Sequence, residues 1–449
     1  MRTKKAALLA VATTMLGGTL LAGCSSGGGA GTTANNTETP KPVKEELYNN
    51  EPVTLRFYSH NAGILNDADL ETLIGNPVKA KYPNITIELI KGTNLDKMIA
   101  AGEVPDIIAT SNYYLHDVLQ MGLGSDLNQW IKSQNVDLNR FEPETINVMK
   151  KFGKNGEMFG IPYAMNYGVV AYNKDIFDKF GVPYPKDGMT WNQILDLARQ
   201  VTRADQGTQY IGIDLQDPPL LTRAYSLPVV DEKQEKAVLT SDGYKKVFGI
   251  YKQLYDIRGV VDSNKKYTYG IDAFLKDQKV AMFPYWISAL TARLPQLKEP
   301  GKDFNWDVVS FPSFDDRPGL GREIDFHLAM IPPTSNNKKA AFAAIQALIT
   351  NEAQLAMNKT GSRLSALSDP AIRKQFAADA KLYDGKNLQG IFAVKPAPLP
   401  EATAYDVKSY GFLKEGIKSM VNEGKDINTA LRESNEKADK YIQEMKNSK

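Results

Sequence analysis

The chain has a single cysteine, Cys24, in 449 residues, so no disulfide can form within it and no cluster of thiolates can hold a metal. Histidine is nearly as scarce. His60, His116 and His327 stand far apart, none in a zinc-ligand spacing, and no metal or cofactor is expected. Charge of one sign is also missing. With 54 Lys and Arg against 52 Asp and Glu the formal net charge is +2, which argues against nucleic acid as the main partner. Catalytic words are absent as well: from residue 51 onward the chain has no G-x-S-x-G elbow, no Walker loop, no H-E-x-x-H and no G-x-G-x-x-G. Asp315-Asp316 offers two carboxylates of the kind a glycosidase needs, but adjacent acids on a Pro/Gly loop are ordinarily solvated. No enzyme is expected.

Long apolar runs are confined to one place. Ala6–Ala22 follows a basic Met1–Lys5 and is too short for a comfortable membrane span. It ends in Leu21-Ala22-Gly23-Cys24, which resembles the bacterial lipobox. On that resemblance residues 1–23 are a lipoprotein signal peptide and Cys24 is lipidated, palmitate included, as the new N-terminus. An ordinary secretory signal with Cys24 there by chance is the alternative. Loss of Arg2, Lys4 and Lys5 leaves 51 basic against 52 acidic residues, close to neutral. Ser25–Glu46 is rich in Gly, Ser, Thr and Asn, then in Pro, Lys and Glu, so 24–50 reads as a flexible tether. The expected location is the cell membrane, lipid-anchored on its extracellular or periplasmic face.

What remains has the composition of a globular chain, 42% hydrophobic and 24% charged, and is too long for one core. Pro52–Tyr58 alternates as a strand. Leu70–Lys81 is helical and stopped by Tyr82-Pro83-Asn84. Ile85–Ile90 is a second strand, Leu95–Ala101 a short helix, and Ile107–Thr110 a buried third strand. Strand alternating with helix is an α/β pattern with a largely parallel sheet. Asp106, just before that strand, reads as a backbone-capping group rather than a ligand.

Gly156–Arg199 is the densest stretch. Gly168–Tyr172 is apolar and β-leaning, Asn173 can cap a helix stopped by Gly181, and Thr190 with Gln193 has the spacing of a capping box. Farther on, Asp214–Pro228 reads as irregular and Pro-rich, Gly243–Ile257 as amphipathic, and Trp306–Phe311 and Glu323–Ile331 as strands. Lys338–Met357 reads as an Ala-rich helix. Ile427, Leu431, Ser434, Ala438, Tyr441 and Met445 form a helical stripe that packs on the core.

Several phrases in order carry a resemblance. They are K-Y-P-N-I-T-I-E, G-E-V-P-D-I-I-A, then G-x-x-F-G-I-P-Y, A-Y-N-K-D-I-F-D-K-F-G-V and T-W-N-Q-I-L-D-L-A. FLKDQKVAMF from Phe274 is similar to the phrase F-x-x-G-x-V-A-M, with Gln278 in place of Gly. Together they resemble the family 1 extracellular solute-binding proteins, the receptors of ABC importers, most of which bind sugars. The resemblance implies an α/β, two-lobed type II periplasmic-binding-protein-like fold with a hinge between lobes. Lobe one would take 51–166 and 326–366. Lobe two would take 167–325 and 367–449, the last part its C-terminal helices. Crossings would fall near Tyr163–Gly168, Arg322–His327 and Leu364–Asp369. Implied partners are a small carbohydrate, an oligosaccharide given the tyrosines and tryptophan below, and the membrane permease and ATPase subunits. A monomer is expected. A peptide receptor, a polysaccharide-acting enzyme and a sensor that signals to a kinase remain as alternatives.

A sugar receptor needs flat apolar rings for the sugar faces and a few polar groups for the hydroxyls. Such groups belong on loops at the carboxyl ends of strands. Those loops hold Tyr58, His60 and Asn61; Ser111, Asn112 and Tyr113; Tyr163, Asn166 and Tyr167; Tyr285 and Trp286; Asp325 and His327; and Arg363. Trp286 is the foremost stacking candidate, with a core role for it as the alternative. His60 reads equally as a surface loop residue, and Asp325 and Arg363 equally as ordinary ion-pair members. Trp130, Trp191 and Trp306 read as core.

Overall fold

The computed structural model describes residues 47–293 and 304–447. The leader, Cys24 and nearly all of the tether lie outside the described residues. In chain order the strands are β1 (Val53–His60), β2 (Ile85–Leu89), β3 (Ile107–Ser111), β4 (Ile161–Asn166), β5 (Gly168–Asn173), β6 (Ala204–Asp205) and β7 (Thr208–Gln209). They continue as β8 (Ile211–Ile213), β9 (Val280–Trp286), β10 (Trp306–Ser310), β11 (Leu320–Glu323), β12 (Asp325–Met330), β13 (Leu364–Ser365) and β14 (Lys395–Ala397).

They form two main sheets. The first has the order β13-β4-β12-β3-β1-β2, the second β10-β5-β9-β8. β1 runs parallel to both β2 and β3, as the alternating strand–helix pattern requires, while β12 is antiparallel to β3 and β4. In the second sheet β5 is antiparallel to its neighbours and β8 parallel to β9. β11 pairs with β14 in a small separate sheet. β3, β4 and β5 are buried along their whole length, which fits apolar runs covered on both faces. The chain changes sheets at Tyr167, between β4 and β5, and at Ile324, between β11 and β12.

Local chemistry explains most of the elements. Asn173 accepts the Ile176 N–H and Gly181 closes that helix in the left-handed conformation. Thr190 and Gln193 make the reciprocal capping box. Asp106 accepts from Arg56 N–H, Ser335 Oγ and Asn337 Nδ2, which ties β3 to β1 and the 335–337 loop at the end of the sheet away from the cleft. Gln278 has φ +52°, the left-handed turn where the family phrase has Gly, so the turn is kept with a side chain on it.

Four differences from the sequence reading stand out. The first helix contains Pro77. With no Pro77 N–H for the ladder, the chain widens into a π turn over Glu71–Gly75, where Asn76 N–H reaches back to the Glu71 carbonyl. The Ala-rich helix is two, Lys338–Leu348 and Asn351–Lys359, because Thr350 caps the second by accepting from Ala353 N–H. The Pro-rich stretch after β8 includes a helix, Pro219–Ala224, with proline at its start, where a missing N–H costs nothing. Finally, the chain stays on the first sheet beyond Ala366. Asn358 Nδ2 donates to the Ile372 carbonyl, and Ala377 and Asp379 N–H groups donate to Asn358 and Lys359 carbonyls. Contacts with the second sheet begin at Tyr383, whose ring packs edge-on against Trp306, and continue at Lys386 and Asn387, whose side-chain ammonium and N–H meet the Trp306 carbonyl and the Asp307 carboxylate.

The C-terminal helices Asp406–Glu423 and Ile427–Asn447 pack on the Asp242–Tyr255 helix, and Ala430, Leu431, Ser434, Ala438 and Ile442 form the buried stripe of the last one. Among the described residues no helix is long and apolar enough to cross a membrane, and no group of acidic, histidine or cysteine side chains is arranged to hold a metal.

Candidate ligand-binding cleft

A cavity of about 780 Å³ opens between the two sheets. Its first wall is made where β1, β3 and β4 end and where β12 and β13 begin. Asn61, Ser111, Tyr113, Tyr114, Asn166, Asp325, His327 and Arg363 stand there. The opposite wall comes from the end of β9 with the helix after it, from the turn after β8 with the Pro219–Ala224 helix, and from β11. It carries Tyr285, Trp286 and Ser288, then Gln216, Asp217 and Arg223, then Arg322 and Glu323. Side chains from strand ends on two sheets thus face one space, the usual place for a ligand in α/β folds.

Charge in the cavity is dense and mostly paired. Glu323, 3% exposed, accepts from Arg223 Nε at 2.9 Å and Arg322 Nε at 3.3 Å. Arg223 also lies over the Tyr113 ring, 4.7 Å from its centre, and Arg322 over the Trp286 ring at 3.7 Å. Each contact of this kind is worth ~0.5–2 kcal/mol. Gly168 makes the second possible: a Cβ there would sit 2.5 Å from Arg322 Cβ and 3.0 Å from Phe311. Asp325 Oδ2 accepts from Asn166 Nδ2 at 3.3 Å, and Asn166 Oδ1 accepts the Ser288 N–H, so one side chain ties the two walls where the chain changes sheets. Burial raises Asp325 to about 6, with the Glu323 carboxylate adding to it. Burial lowers His327 to about 3, with the Arg363 guanidinium adding to it, so its ring is neutral near pH 7.

Of the residues the sequence singled out, Asn61, Ser111, Tyr113, Asn166, Tyr285, Trp286, Asp325, His327 and Arg363 come together on the cavity. Five stand off its wall. Tyr58 is a β1 residue whose hydroxyl donates to the Thr93 carbonyl. His60 ends β1 instead of entering the loop, and is packed between Tyr58 and Tyr114. Asn112 is consumed as a brace, accepting from Phe326 N–H and donating to the Ile324 carbonyl. Tyr163 lies mid-strand in β4 and is 1% exposed. Tyr167 packs edge-on against Phe392. Tyr58 and Tyr163 are covered because they lie within strands, whereas His60, Asn112 and Tyr167, at or just past strand ends, are held by neighbouring rings or backbone.

Arg223, Arg322, Glu323, Tyr114, Gln216, Asp217 and Ser288 were not foreseen. Arg322 and Glu323 could have been, since two opposite charges stand next to each other inside a marked crossing. Nothing local points to Arg223, whose helix reads as an irregular Pro-rich segment. Trp191 and Trp306 are core, 0% and 3% exposed, and Trp130 packs on Phe342.

A sequence profile described as bacterial extracellular solute-binding protein matches residues 68–355. Among solved structures, the chain is similar to an ABC substrate-binding protein from Listeria monocytogenes in complex with cycloalternan. The TM-score is 0.69 at 18% identity, over 88% of this chain and 100% of that one. A sugar transporter from Rhizobium etli in an open conformation gives 0.66 at 20% identity, over 86% and 99%. The sugar-binding protein MalE from Xanthomonas citri gives 0.67 at 16% identity, over 88% and 98%. At these identities the likeness establishes the two-lobed α/β fold.

Proposed function

The chain belongs to the bacterial extracellular solute-binding proteins, a family of binders and not of enzymes, and from that premise we propose that it captures a carbohydrate, an oligosaccharide, between its lobes. Lobe one is read as 51–166 with a second part that starts at 326, and lobe two as 167–325 with the C-terminal helices; the contacts of Ile372, Ala377 and Asp379 with Asn358 and Lys359 move the third crossing past the 366 expected from sequence. The ligand favours a closed arrangement because only there does it touch both walls. The closed form is what an ABC importer's permease subunits read. The protein acts as a monomer, held at the extracellular or periplasmic face of the cell membrane by lipidated Cys24.

One observation carries the reading. Tyr285 and Trp286 on one wall face Asn61, Asp325, His327 and Arg363 on the other, so that ring surfaces oppose hydrogen-bonding groups across a single cavity. That is the complement of a sugar, with two apolar faces and a polar edge. The cycloalternan held by the Listeria protein agrees with a multi-ring ligand.

The cavity's four arginines and three carboxylates favour a second reading, a charged non-sugar solute such as a peptide. A thermal-shift panel of the full chain against mono- and oligosaccharides, uronates and short peptides separates the two. A ligand at a hundred times its dissociation constant stabilises by ~2.7 kcal/mol. A rise with sugars and no breakdown of the sugar is expected. A rise with peptides alone overturns the carbohydrate reading, and a sugar consumed during the run overturns capture itself.

A further inference from the structure

On the first wall of the cavity Arg363 Nε and His327 Nδ1, and just behind it Tyr163 Oη, are buried with no hydrogen-bond partner among the described residues. Their residues are 7%, 8% and 1% exposed, and they are neighbours. The His327 and Tyr163 rings lie 6.3 Å apart, and Arg363 and His327 both face Gly63. Arg363 is fixed in place without being neutralised. Its Nη1 donates to the Ser362 carbonyl at 2.7 Å and its Nη2 to the Gly63 carbonyl at 3.0 Å. Two carbonyl oxygens orient the fork and leave its charge. Among the described residues no carboxylate forms an ion pair with it, and Asp325 and Asp69 act only at longer range.

The cavity's own acids are engaged elsewhere. Glu323 is shared by Arg223 and Arg322, Asp217 pairs with Lys414, and Asp325 is turned onto Asn166. A buried cation with an unused donor is costly until an acceptor arrives. A sugar hydroxyl would satisfy the donor and leave the charge. A carboxylate satisfies both, and a guanidinium is the side chain best shaped to receive one.

We propose that Arg363, with His327 beside it, is a carboxylate subsite, and that the captured carbohydrate is acidic, an oligosaccharide containing uronate. This rests on the carbohydrate reading above. The uronate carboxylate meets Arg363 Nε, and His327, a neutral ring, offers Nδ1 as a second hydrogen-bonding atom to the same group. The neutral rings of the ligand are left to Tyr285 and Trp286.

The test is calorimetric titration of the full chain with short oligogalacturonates and with the same oligomers after reduction of their carboxyl groups to alcohols. The acid series is expected to bind about 10- to 100-fold tighter, the scale of one hydrogen bond to a charged group. Arg363→Gln should erase that preference and Arg363→Lys should keep part of it. Should the glutamine variant fail to fold, salt gives the answer in the natural chain, because the preference must shrink as ionic strength rises. Reduced oligomers binding as tightly as the acids, a preference that survives Arg363→Gln, or one indifferent to salt would each overturn the subsite and leave carbohydrate capture standing. Binding of neither series overturns the carbohydrate reading, and the subsite with it.

Discussion

Glu323 faces Arg223 from one element and Arg322 from its own strand, and both guanidinium groups lean on aromatic rings. Removing the carboxylate charge leaves two cations buried side by side. Glu323→Gln is expected to destabilise by about 3–5 kcal/mol in urea unfolding; a loss below about 1 kcal/mol would mean that the arginines find other partners. His327 and Asp325, two residues apart, act on stability in opposite senses. The unfolded chain protonates His327 near 6.5 while the folded one waits until about 3, so acidification from 6.5 towards 3 favours unfolding. At Asp325 the order is reversed. The folded chain takes the proton near 6 and the unfolded one near 3.8, so acidification through that window favours folding. His327→Gln should therefore flatten the loss of stability on the acid side, and Asp325→Asn should steepen it. Urea midpoints measured across this range decide the matter, and parallel profiles for both variants and the natural chain would remove the argument. None of this could be read from sequence, because a histidine's burial and a carboxylate's neighbours are set by distant strands.

Elements were readable wherever their control is local. The Thr190 capping box, the Asn173 cap, the Gly181 stop and the buried runs of β3 and β5 follow from residues within a few positions of one another. Readings failed where one residue outvoted a pattern, as Thr350 does in breaking an alanine-rich helix and Pro77 does in widening one. Gly212 shows a third case, in which the deciding neighbour is remote. It lets the Trp191–Val201 helix lie directly on β8, for a Cβ there would fall 2.2 Å from the Ala198 carbonyl oxygen. Backbone must then move, and Gly212→Ala is expected to destabilise by about 1–3 kcal/mol by thermal unfolding. An unchanged midpoint would show that this helix floats on its sheet.

For the whole molecule, capture predicts motion. Ligand touching both walls should draw the lobes together, and small-angle scattering of the full chain should show a smaller radius of gyration with saturating ligand. An unchanged radius with bound ligand would sink the closing mechanism and leave binding intact. Sequence alone determined the α/β alternation, the lack of a second cysteine for an internal disulfide and the family phrases, because each rests on residue types and short spacings. It also marked the strand ends, since apolar periodicity stops there, and so brought most of the cavity's first wall into view. Tertiary structure decided which strand-end side chains stay free. It turned Asn112 into a brace and covered Tyr163, brought Arg223 from a Pro-rich stretch to Glu323, and left Arg363 without an ion pair among the described residues. The reason is one of range. A cap or a strand is settled within a turn of chain, whereas burial and charge pairing are settled by residues a hundred or more positions away.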